Sequence, residues 1–302
     1  MEIGLLYSRI RTDEKLLLSK LRERGHGVEK IDVREASFGL DGTNAAVGDC
    51  DLVLDRCLAT SRSLYATEFL DHYGVPVVNS PDTAAVCADK AKTSLALAAA
   101  GVPTPETEVA FTTDEALDVI EDFGYPCVLK PVVGSWGRLM AKIDSRTAAE
   151  AILEHKATLG HYEHKVFYVQ EFVEKPGRDV RVLATDGDPV AAMTRSSDHW
   201  LTNAAKGGET AEFEVSDEVR ALVEAASEAV GGGLLGVDLM EVDEVSGEYT
   251  VHEVNHTVEF KTLNGTTDVD VPATVVDWLE AKAPDGDDES GSTPESDSEV
   301  VA

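Results

Sequence analysis

Three oxygen-bearing side chains fall close together in the pattern of the last β-hairpin that the sequence predicts. Asp238 lies between Val237 and Leu239, and Glu253 and Asn255 lie two residues apart in the following strand. Because side chains alternate along a strand, Glu253 and Asn255 share a face, and antiparallel pairing brings Asp238 beside them. Carboxylate and amide oxygens are hard ligands that suit Mg²⁺ and leave room for phosphate oxygens and water. The alternative is the solvated face of a β-ribbon.

Basic side chains follow apolar strands or border glycines. Lys130 ends the strand pattern VLK just before Pro131, where a lysine can reach into a cleft and contact a phosphate. Lys90, Arg195 and Lys206 are placed comparably, Lys206 before two glycines. The alternative for each is an ordinary surface base. The chain has only 26 lysines and arginines, so this placement favours a phosphate site.

Two further segments fit a nucleotide. Gly134, Ser135, Trp136, Gly137 and Arg138 form a loop whose glycines allow close backbone approach to phosphate oxygens, with Trp136 at an exposed tip that moves. Such loops are often plain turns.

The strand end at Glu171, Phe172 and Val173 offers backbone groups to a purine, with Glu171 near its amino group or the ribose. The alternative is an ordinary strand end. His161 and His164 have metal-ligand spacing, but no third ligand is near, so a solvated loop is predicted.

The elements that position these residues divide into lobes. Strand patterns at 2–7, 28–33, 51–55 and 75–78 alternate with helices at 13–24 and 63–73, which predicts a small parallel α/β lobe. The remaining pattern predicts helices at 82–100, 113–122, 146–158, 216–230 and 271–281 and strands at 107–110, 126–130, 138–143, 166–172, 178–185, 188–195, 235–242 and 249–255. We therefore predict domains at 1–85, 86–172 and 173–283, and a disordered acidic tail at 284–302.

Composition excludes several classes of protein. The 302 residues carry 57 acids against 26 lysines and arginines, a net charge of −31, which disfavours binding to nucleic acid or anionic lipid. No apolar run approaches the roughly 18 residues of a membrane span, and the first residues lack a signal-peptide pattern. We predict a cytoplasmic protein. The four cysteines form no CxxC pair and are interpreted as reduced, mostly buried thiols.

The acidity belongs to the folded body as well as to the tail. The segment 284–302 holds seven acids and no base, and removing it leaves 26 − 50 = −24. An excess of Asp and Glu with few lysines is typical of proteins from a halophilic cytosol. There, molar salt shortens the Debye length to about 3 Å and reduces the repulsion between the negative charges of the chain. The alternative is an ordinary acidic enzyme from a mesophile.

Taken in order, these segments resemble the ATP-grasp carboxylate–amine ligases, from residue 1 to about 282. The resemblance is carried by Asp89-Lys90, the VLKP at 128–131, the GSWGR at 134–138, the QEFV at 170–173, the RDVR at 178–181 and the EVN at 253–255. Three stretches narrow it to the RimK-related branch that contains LysX and ArgX, namely 134–138, 199–203 and 253–261. The fold this implies is α/β, an ATP-grasp fold preceded by a parallel α/β pre-ATP-grasp domain.

The resemblance also implies roles for individual residues. Lys90 and Lys130 would contact the ATP phosphates, and the loop 134–138 would cover them. Glu171, Phe172 and Val173 would hold adenine and ribose, with Asp179 nearby.

At the reaction centre, Arg195 and Asn203 would face the phosphoryl and acyl groups. The ligands of two Mg²⁺ ions would be Asp238, Glu253 and Asn255. The amino-acid substrate would meet His256, Thr257, Glu259, Phe260, Thr266 and Thr267. Lys206 departs from the arginine that relatives often carry, which leaves its role open.

Enzymes of this branch join the α-amino group of glutamate or 2-aminoadipate to the C-terminal glutamate side chain of a small acidic amino-group carrier protein, through an acylphosphate, in arginine or lysine synthesis. We expect the same here, with glutamate favoured, no covalent enzyme intermediate, and a homo-oligomer as in many relatives. Arg56 and Arg62 are candidates for a basic pocket that receives the carrier tail, or are ordinary surface arginines. Two alternatives stay open: a RimK-type ligase that adds glutamate to a protein tail or cofactor, and a nucleotide-binding regulatory module without turnover.

Overall fold

The computed structural model describes residues 1–42, 47, 50–134, 139–159, 165–200, 202, 208–243 and 247–282. Several predicted features lie outside the described residues: the loop residues Ser135, Trp136, Gly137 and Arg138, the segment 161–164, Asn203, Lys206 and the tail 284–302.

The first lobe is a parallel sheet, as its alternating pattern predicts. Its strands lie in the order β2-β1-β3-β4 and are β1 (Glu2–Tyr7), β2 (Gly27–Asp32), β3 (Leu52–Arg56) and β4 (Val77–Val78). The connecting helices are α1 (Thr12–Glu23) and α2 (Thr60–His72). All five residues of β3 are buried, because helices cover both faces of a parallel sheet.

The helix predicted over 82–100 is wrong as one piece. The chain forms two helices, α3 (Pro81–Cys87) and α4 (Lys90–Ala99), separated at Asp89. Asp89 is extended, and its Oδ1 accepts hydrogen bonds from the amides of Ala91 at 2.9 Å and Lys92 at 3.3 Å. This capping satisfies amides at the start of α4 that have no partner within the helix, so the chain can bend and turn Lys90 toward the next lobe.

We expect Asp89→Ala to lower the free energy of unfolding by about 1 kcal/mol, because it removes the N-cap of α4. Asp118→Ala is the matched control, since Asp118 is exposed in the middle of helix α5 (Thr113–Phe123) and caps nothing. It should change stability by less than about 0.5 kcal/mol. Urea unfolding at constant KCl measures both, and equal midpoints for the two variants would contradict the capping role.

The second sheet is antiparallel, in the order β5-β8-β6-β7. Its strands are β5 (Thr107–Ala110), β6 (Cys127–Lys130), β7 (Ala141–Ile143) and β8 (Phe167–Glu171). Helix α5 and helix α6 (Arg146–Leu159) pack on it and enclose a core of aliphatic residues with Phe167. The sheet therefore carries Lys130 at the end of one strand and Glu171 at the end of its neighbour.

The third sheet is also antiparallel, in the order β11-β10-β9-β12-β13. Its strands are β9 (Arg178–Thr185), β10 (Asp188–Ser196), β11 (Glu209–Glu212), β12 (Leu234–Asp243) and β13 (Glu248–Asn255). It is accompanied by helices α7 (Asp217–Val230), α8 (Lys261–Thr266) and α9 (Val271–Lys282). Strand β11 and helix α8 were not predicted, because both are short and lack a run of apolar residues.

The first and third sheets share one core. Leu5 and Leu54 of the first sheet lie in the same apolar cluster as Leu183, Phe260 and Leu279. In the described part of the chain no helix is long and apolar enough to cross a membrane.

Candidate active site

A cavity of about 600 Å³ opens where the three sheets meet. It is lined by side chains of every lobe, from Arg11 near the start of the chain to Thr262 in α8. A pocket of this size and mixed lining is typical of a small-molecule site.

The three predicted oxygen donors all line this cavity. Asp238 pairs directly with Glu253, and Gly236 pairs with Asn255, so the expected antiparallel register is correct. The register shifts after Asp238, which leaves His252 as an extra residue in a bulge of β13. The bulge lets Val251 and Val254 both reach the core, while His252 and Glu253 both line the cavity.

Asp238 is held by two arginines, which the hairpin pattern did not foresee. Arg181 donates two hydrogen bonds to its oxygens, at 2.7 and 2.6 Å, and Nη2 of Arg195 lies 3.2 Å from Oδ1. Although burial favours the neutral acid, these arginines hold the pKa of Asp238 well below its usual value. Asp238 therefore remains a carboxylate in the interior of the cavity.

The donor set fits Mg²⁺. Each carboxylate oxygen has two lone pairs, so Asp238 can face a cation and still accept from the arginines. The Asn255 amide is held by no hydrogen bond through Nδ2 within the described structure, so it can turn its oxygen to an ion. Among the described residues no three His, Cys, Asp or Glu side chains are grouped so that they could hold a metal ion. A Mg²⁺ ion bound here would therefore draw on the amide oxygen of Asn255 as well as on the carboxylates of Asp238 and Glu253.

Lys130 points into the cavity from the end of β6 and is only 2% exposed. Its Nζ donates to Oε1 of Gln170 and lies 3.1 Å from Nε2 of His252. Burial, with smaller effects of Lys90 and Lys175, lowers the pKa of Lys130 to about 7. Burial and Lys130 lower the pKa of His252 well below its ordinary value, so the neutral imidazole accepts the hydrogen bond.

We expect ATP binding to weaken as the pH rises through 7. Phosphates favour protonated Lys130, so below its pKa of about 7 the lysine is already charged, and above it the complex must take up a proton. The dissociation constant should rise about tenfold between pH 6 and pH 8. Titration calorimetry in buffers of different ionisation enthalpy measures both the affinity and the proton uptake.

Lys130→Arg is the matched control, because arginine stays charged across this range. The affinity of that variant should be nearly independent of pH between 6 and 8. A slope equal to that of the unaltered protein would show that another group titrates.

Lys90, the first residue of α4, lines the cavity beside Lys130, because its backbone amide donates to the carbonyl of Val132 at 2.8 Å. Its Nζ is 3.0 Å from Oε1 of Glu253 and donates to the carbonyl of Gly134 at 2.7 Å. The predicted phosphate lysines and the first residue of the predicted phosphate loop thus meet beside the carboxylates.

The end of β8 supplies an apolar wall. Phe172 and Val173 line the cavity together with Met140 and Met240, which suits the face of a base. Glu171 also lines the cavity, and its Oε1 accepts a hydrogen bond from the amide of Glu106 at 2.8 Å. One carboxylate oxygen of Glu171 is therefore already engaged by the protein.

Asp179 orients cationic groups. Its Oδ1 accepts from Nε of Arg195 at 2.7 Å, and its Oδ2 contacts Thr202 and, at 3.4 Å, Lys175. Lys175 in turn donates to Oγ1 of Thr202 at 2.5 Å. Burial opposes the charge of Arg195, but Asp238 and Asp179 more than offset it and raise the pKa of Arg195. Arg195 is thus a fixed cation beside Asp238.

The residues predicted to meet the amino acid divide into two groups. His256, Thr257 and Glu259 line the cavity. Phe260 is fully buried in the core between the lobes, and Thr266 and Thr267 hydrogen-bond elsewhere, to Thr210 and within α8. These last three do not line the cavity, because α8 turns the chain away from it.

The two candidate arginines of the first lobe also differ. Arg56 is fully buried, pairs with Glu14 at 3.2 Å and lies over the ring of Phe260, so it forms no exposed docking surface. Arg62 is exposed in the first turn of α2. Strand β3 is buried throughout, and the sequence pattern of a strand end did not reveal that Arg56 points inward.

Several cavity residues were not singled out from the sequence: Arg11, Asp13, Lys175, Arg181 and His252. A signal existed for Arg181, which lies two residues from Asp179 on the same face of β9. His252 could not be found this way, because strict alternation places it on the face opposite Glu253.

The three sheets surround a cavity in which Lys90 and Lys130 lie beside the oxygen donors Asp238 and Glu253. This arrangement defines the ATP-grasp enzymes, a class of ATP-dependent ligases. The crystal structure of an ATP-grasp RimK domain protein from Sphaerobacter thermophilus has the same fold, with a TM-score of 0.78 and 29% identity over 92% of this chain and 99% of that one.

The chain belongs to the RimK-like ATP-grasp family. Residues 87–279 match the RimK-like ATP-grasp domain, and residues 3–86 match the LysX preATP-grasp domain. The glutamate–LysW ligase ArgX of Sulfolobus acidocaldarius is 31% identical over 281 residues, 92% of this chain and 98% of the relative. The α-aminoadipate–LysW ligase LysX of Saccharolobus solfataricus is 34% identical over 253 residues, 83% and 90% of the two chains.

Proposed function

We propose that this ligase joins the α-amino group of glutamate or 2-aminoadipate to the C-terminal glutamate side chain of a LysW-type amino-group carrier protein. The observation that carries the proposal is one continuous cavity that is lined both by Lys90 and Lys130 and by His256, Thr257 and Glu259. The similarity to both kinds of LysW ligase over most of the chain supports the same substrates.

The chemistry is a phosphoryl transfer followed by an acyl transfer. The carrier carboxylate attacks the γ-phosphorus of ATP, which gives an acylphosphate and ADP. The amine then attacks the acyl carbon, phosphate leaves, and the amine loses a proton as the amide forms. A bound Mg²⁺ would offset the charge of the triphosphate, with Asp238, Glu253 and Asn255 as its ligands.

The residues of the chain hold, align and shield the reactants. Lys90 and Lys130 would bind phosphate oxygens, and Arg195 would stabilise the negative charge that develops on the phosphoryl group. The loop 134–138 would cover the site, since water hydrolyses an acylphosphate. Asn203 would face the acyl centre. No side chain forms a covalent bond to the substrate in this scheme.

We propose glutamate as the preferred amino acid, with 2-aminoadipate as a second substrate. The two differ by one methylene, which is worth only about 1–3 kcal/mol of discrimination. The exposed Arg62 is the proposed contact of the acidic carrier tail, because Leu58 and Thr60 just before it line the cavity.

The test is an ADP-release assay with purified carrier protein, ATP, Mg²⁺ and either amino acid in high KCl. We expect ADP and a carrier whose mass increases by one amino-acid residue. A carrier that lacks its last glutamate is the matched control and should give neither product. Turnover with free peptides or a small cofactor but not with the carrier would contradict the proposal, as would ATP binding without ADP release.

We further propose that the enzyme works in a salt-rich cytoplasm. The unfolding temperature should rise as KCl increases from about 0.1 to about 2 M, because the Debye length falls from about 10 Å to about 2–3 Å and the self-repulsion of a −31 chain weakens. Sucrose is the control, since it stabilises proteins by exclusion without screening charge. A KCl effect no larger than that of sucrose would contradict a charge-based adaptation.

A further inference from the structure

Side chains of the first lobe hold the chain segment at the amino-acid end of the cavity. Asn79, at the end of β4, donates from Nδ2 to the carbonyl of His256 at 2.8 Å. Arg11 donates to Oε1 of Glu259. Oδ1 of Asp13 accepts from the amides of Phe260 at 2.7 Å and Lys261 at 2.8 Å. Three residues of one lobe thus hold four of the six residues from 256 to 261 in another.

Asp13 makes two of these three contacts to the backbone. It lies in the first turn of α1, is only 4% exposed and also lines the cavity. Its one oxygen receives both amides where the segment turns into α8. The first amides of a helix have no hydrogen-bond acceptor within the helix. Without Asp13, the amides of Phe260 and Lys261 would therefore lose the carboxylate oxygen that accepts their hydrogen bonds.

The contact between Asp13 and these two amides fixes the position of the part of the cavity wall that residues 256–261 form. Thr257 and Glu259 precede the two bound amides, and both line the cavity together with Arg11 and Asp13. A shift of the turn at Phe260 would move them directly, because the backbone between them is continuous. Lys90, Lys130 and Glu253 lie on other elements, α4, β6 and β13, and have no bond to this turn in the described structure.

We infer that Asp13 is a positioning residue that shapes the amino-acid subsite through the backbone of residues 256–261. This inference rests on the proposed function, because it takes that segment as the wall that meets glutamate or 2-aminoadipate. It assigns to the pre-ATP-grasp lobe a role in amino-acid affinity that is separate from nucleotide binding.

Asp13→Ala tests the inference by comparing its effect on the KM for the amino acid with its effect on the dissociation constant for ATP. We expect the KM for the amino acid to rise about tenfold or more, while the dissociation constant for ATP changes less than about twofold. Asp13→Asn keeps an acceptor oxygen in place and should restore most of the affinity. Glu23→Ala is the matched control, since Glu23 is exposed at the far end of α1.

Asp13→Glu separates geometry from charge. It keeps the carboxylate but moves the oxygens by one methylene, so a positioning role predicts a raised KM and a purely electrostatic role predicts an unchanged one. If Asp13→Ala does not fold, the Asn and Glu variants still decide the question. Equal KM values in the Asn, Glu and unaltered proteins, or equal losses of amino-acid and ATP affinity, would overturn the inference.

Hydrogen exchange gives a readout that needs no turnover. The amides of Phe260 and Lys261 should exchange faster in Asp13→Ala than in the unaltered protein, with β6 and α4 unchanged. If the unaltered protein shows no ligase activity on the carrier, the proposed function fails while this part of the test still stands. If it is active and these amides exchange equally in both proteins, only the inference about Asp13 fails.

Discussion

Glu253→Gln should lower kcat about 10³-fold, equivalent to about 4 kcal/mol of transition-state stabilisation. Glu253 faces Asp238 across β12 and β13, lines the cavity and lies 3.0 Å from Nζ of Lys90. The amide that replaces it keeps the shape but removes one of two negative charges from the proposed Mg²⁺ site. The Mg²⁺ concentration for half-maximal rate should therefore rise as well, which a titration of MgCl₂ at fixed ATP measures.

Glu241→Gln is the matched control for this prediction. Glu241 lies on the same strand as Asp238 and is equally buried, but it pairs with Arg178 at 2.8 Å and does not line the cavity. Its kcat and Mg²⁺ requirement should stay near those of the unaltered enzyme. If Glu253→Gln keeps a rate within tenfold at the same Mg²⁺ concentration, Glu253 is not a ligand of the ion and the proposed site is wrong.

Arg195→Met should lower kcat by about 10³-fold or more with a smaller change in ATP affinity. Cations that stabilise a phosphoryl group in transfer are worth about 10³–10⁵-fold in rate. Arg195 suits this role because Asp179 fixes its Nε at 2.7 Å and Asp238 lies 3.2 Å from its Nη2. Single-turnover measurement of ADP formation separates the phosphoryl step from product release.

Two further variants keep this prediction testable if Arg195→Met is unstable. Arg195→Lys keeps a charge but cannot bond both carboxylates, so an intermediate rate is expected. Arg220→Met removes an exposed arginine of α7 that pairs at 2.9 Å with Asp188, at the start of the strand that carries Arg195. This variant should leave kcat unchanged. Equal kcat values for Arg195→Met and Arg220→Met would contradict a role for Arg195 in phosphoryl transfer.

The arginines around Asp238 also explain how so acidic a chain keeps a site for a triphosphate. Arg181 and Arg195 balance Asp238 and Asp179 locally, and Lys90 faces Glu253. The cavity therefore does not share the large excess of acid that the whole chain carries. Binding of ATP adds negative charge, and we expect Mg²⁺ and Lys130 to supply the compensation.

Local pattern determined much of this protein from the sequence alone. Most strands and helices lie within a few residues of their predicted positions, since alternating apolar residues and glycine stops are local signals. Asp238, Glu253 and Asn255 were brought together correctly because the alternation of core-facing and cavity-facing side chains limits which residues of the two strands can face each other. The ordered motifs also sufficed to predict the ATP-grasp fold and the ligase class.

Contacts between distant residues were decided only by the tertiary structure. The burial of Arg56 against Glu14, the pairing of Asp238 with Arg181 and the hold of Asp13 on the amides of residues 260 and 261 each join separate elements. Local sequence specifies which side chains of a strand or helix are buried, but it does not specify which residues of distant elements pack against them. The bulge at His252 has the same origin, because two valines three residues apart are both drawn into one core.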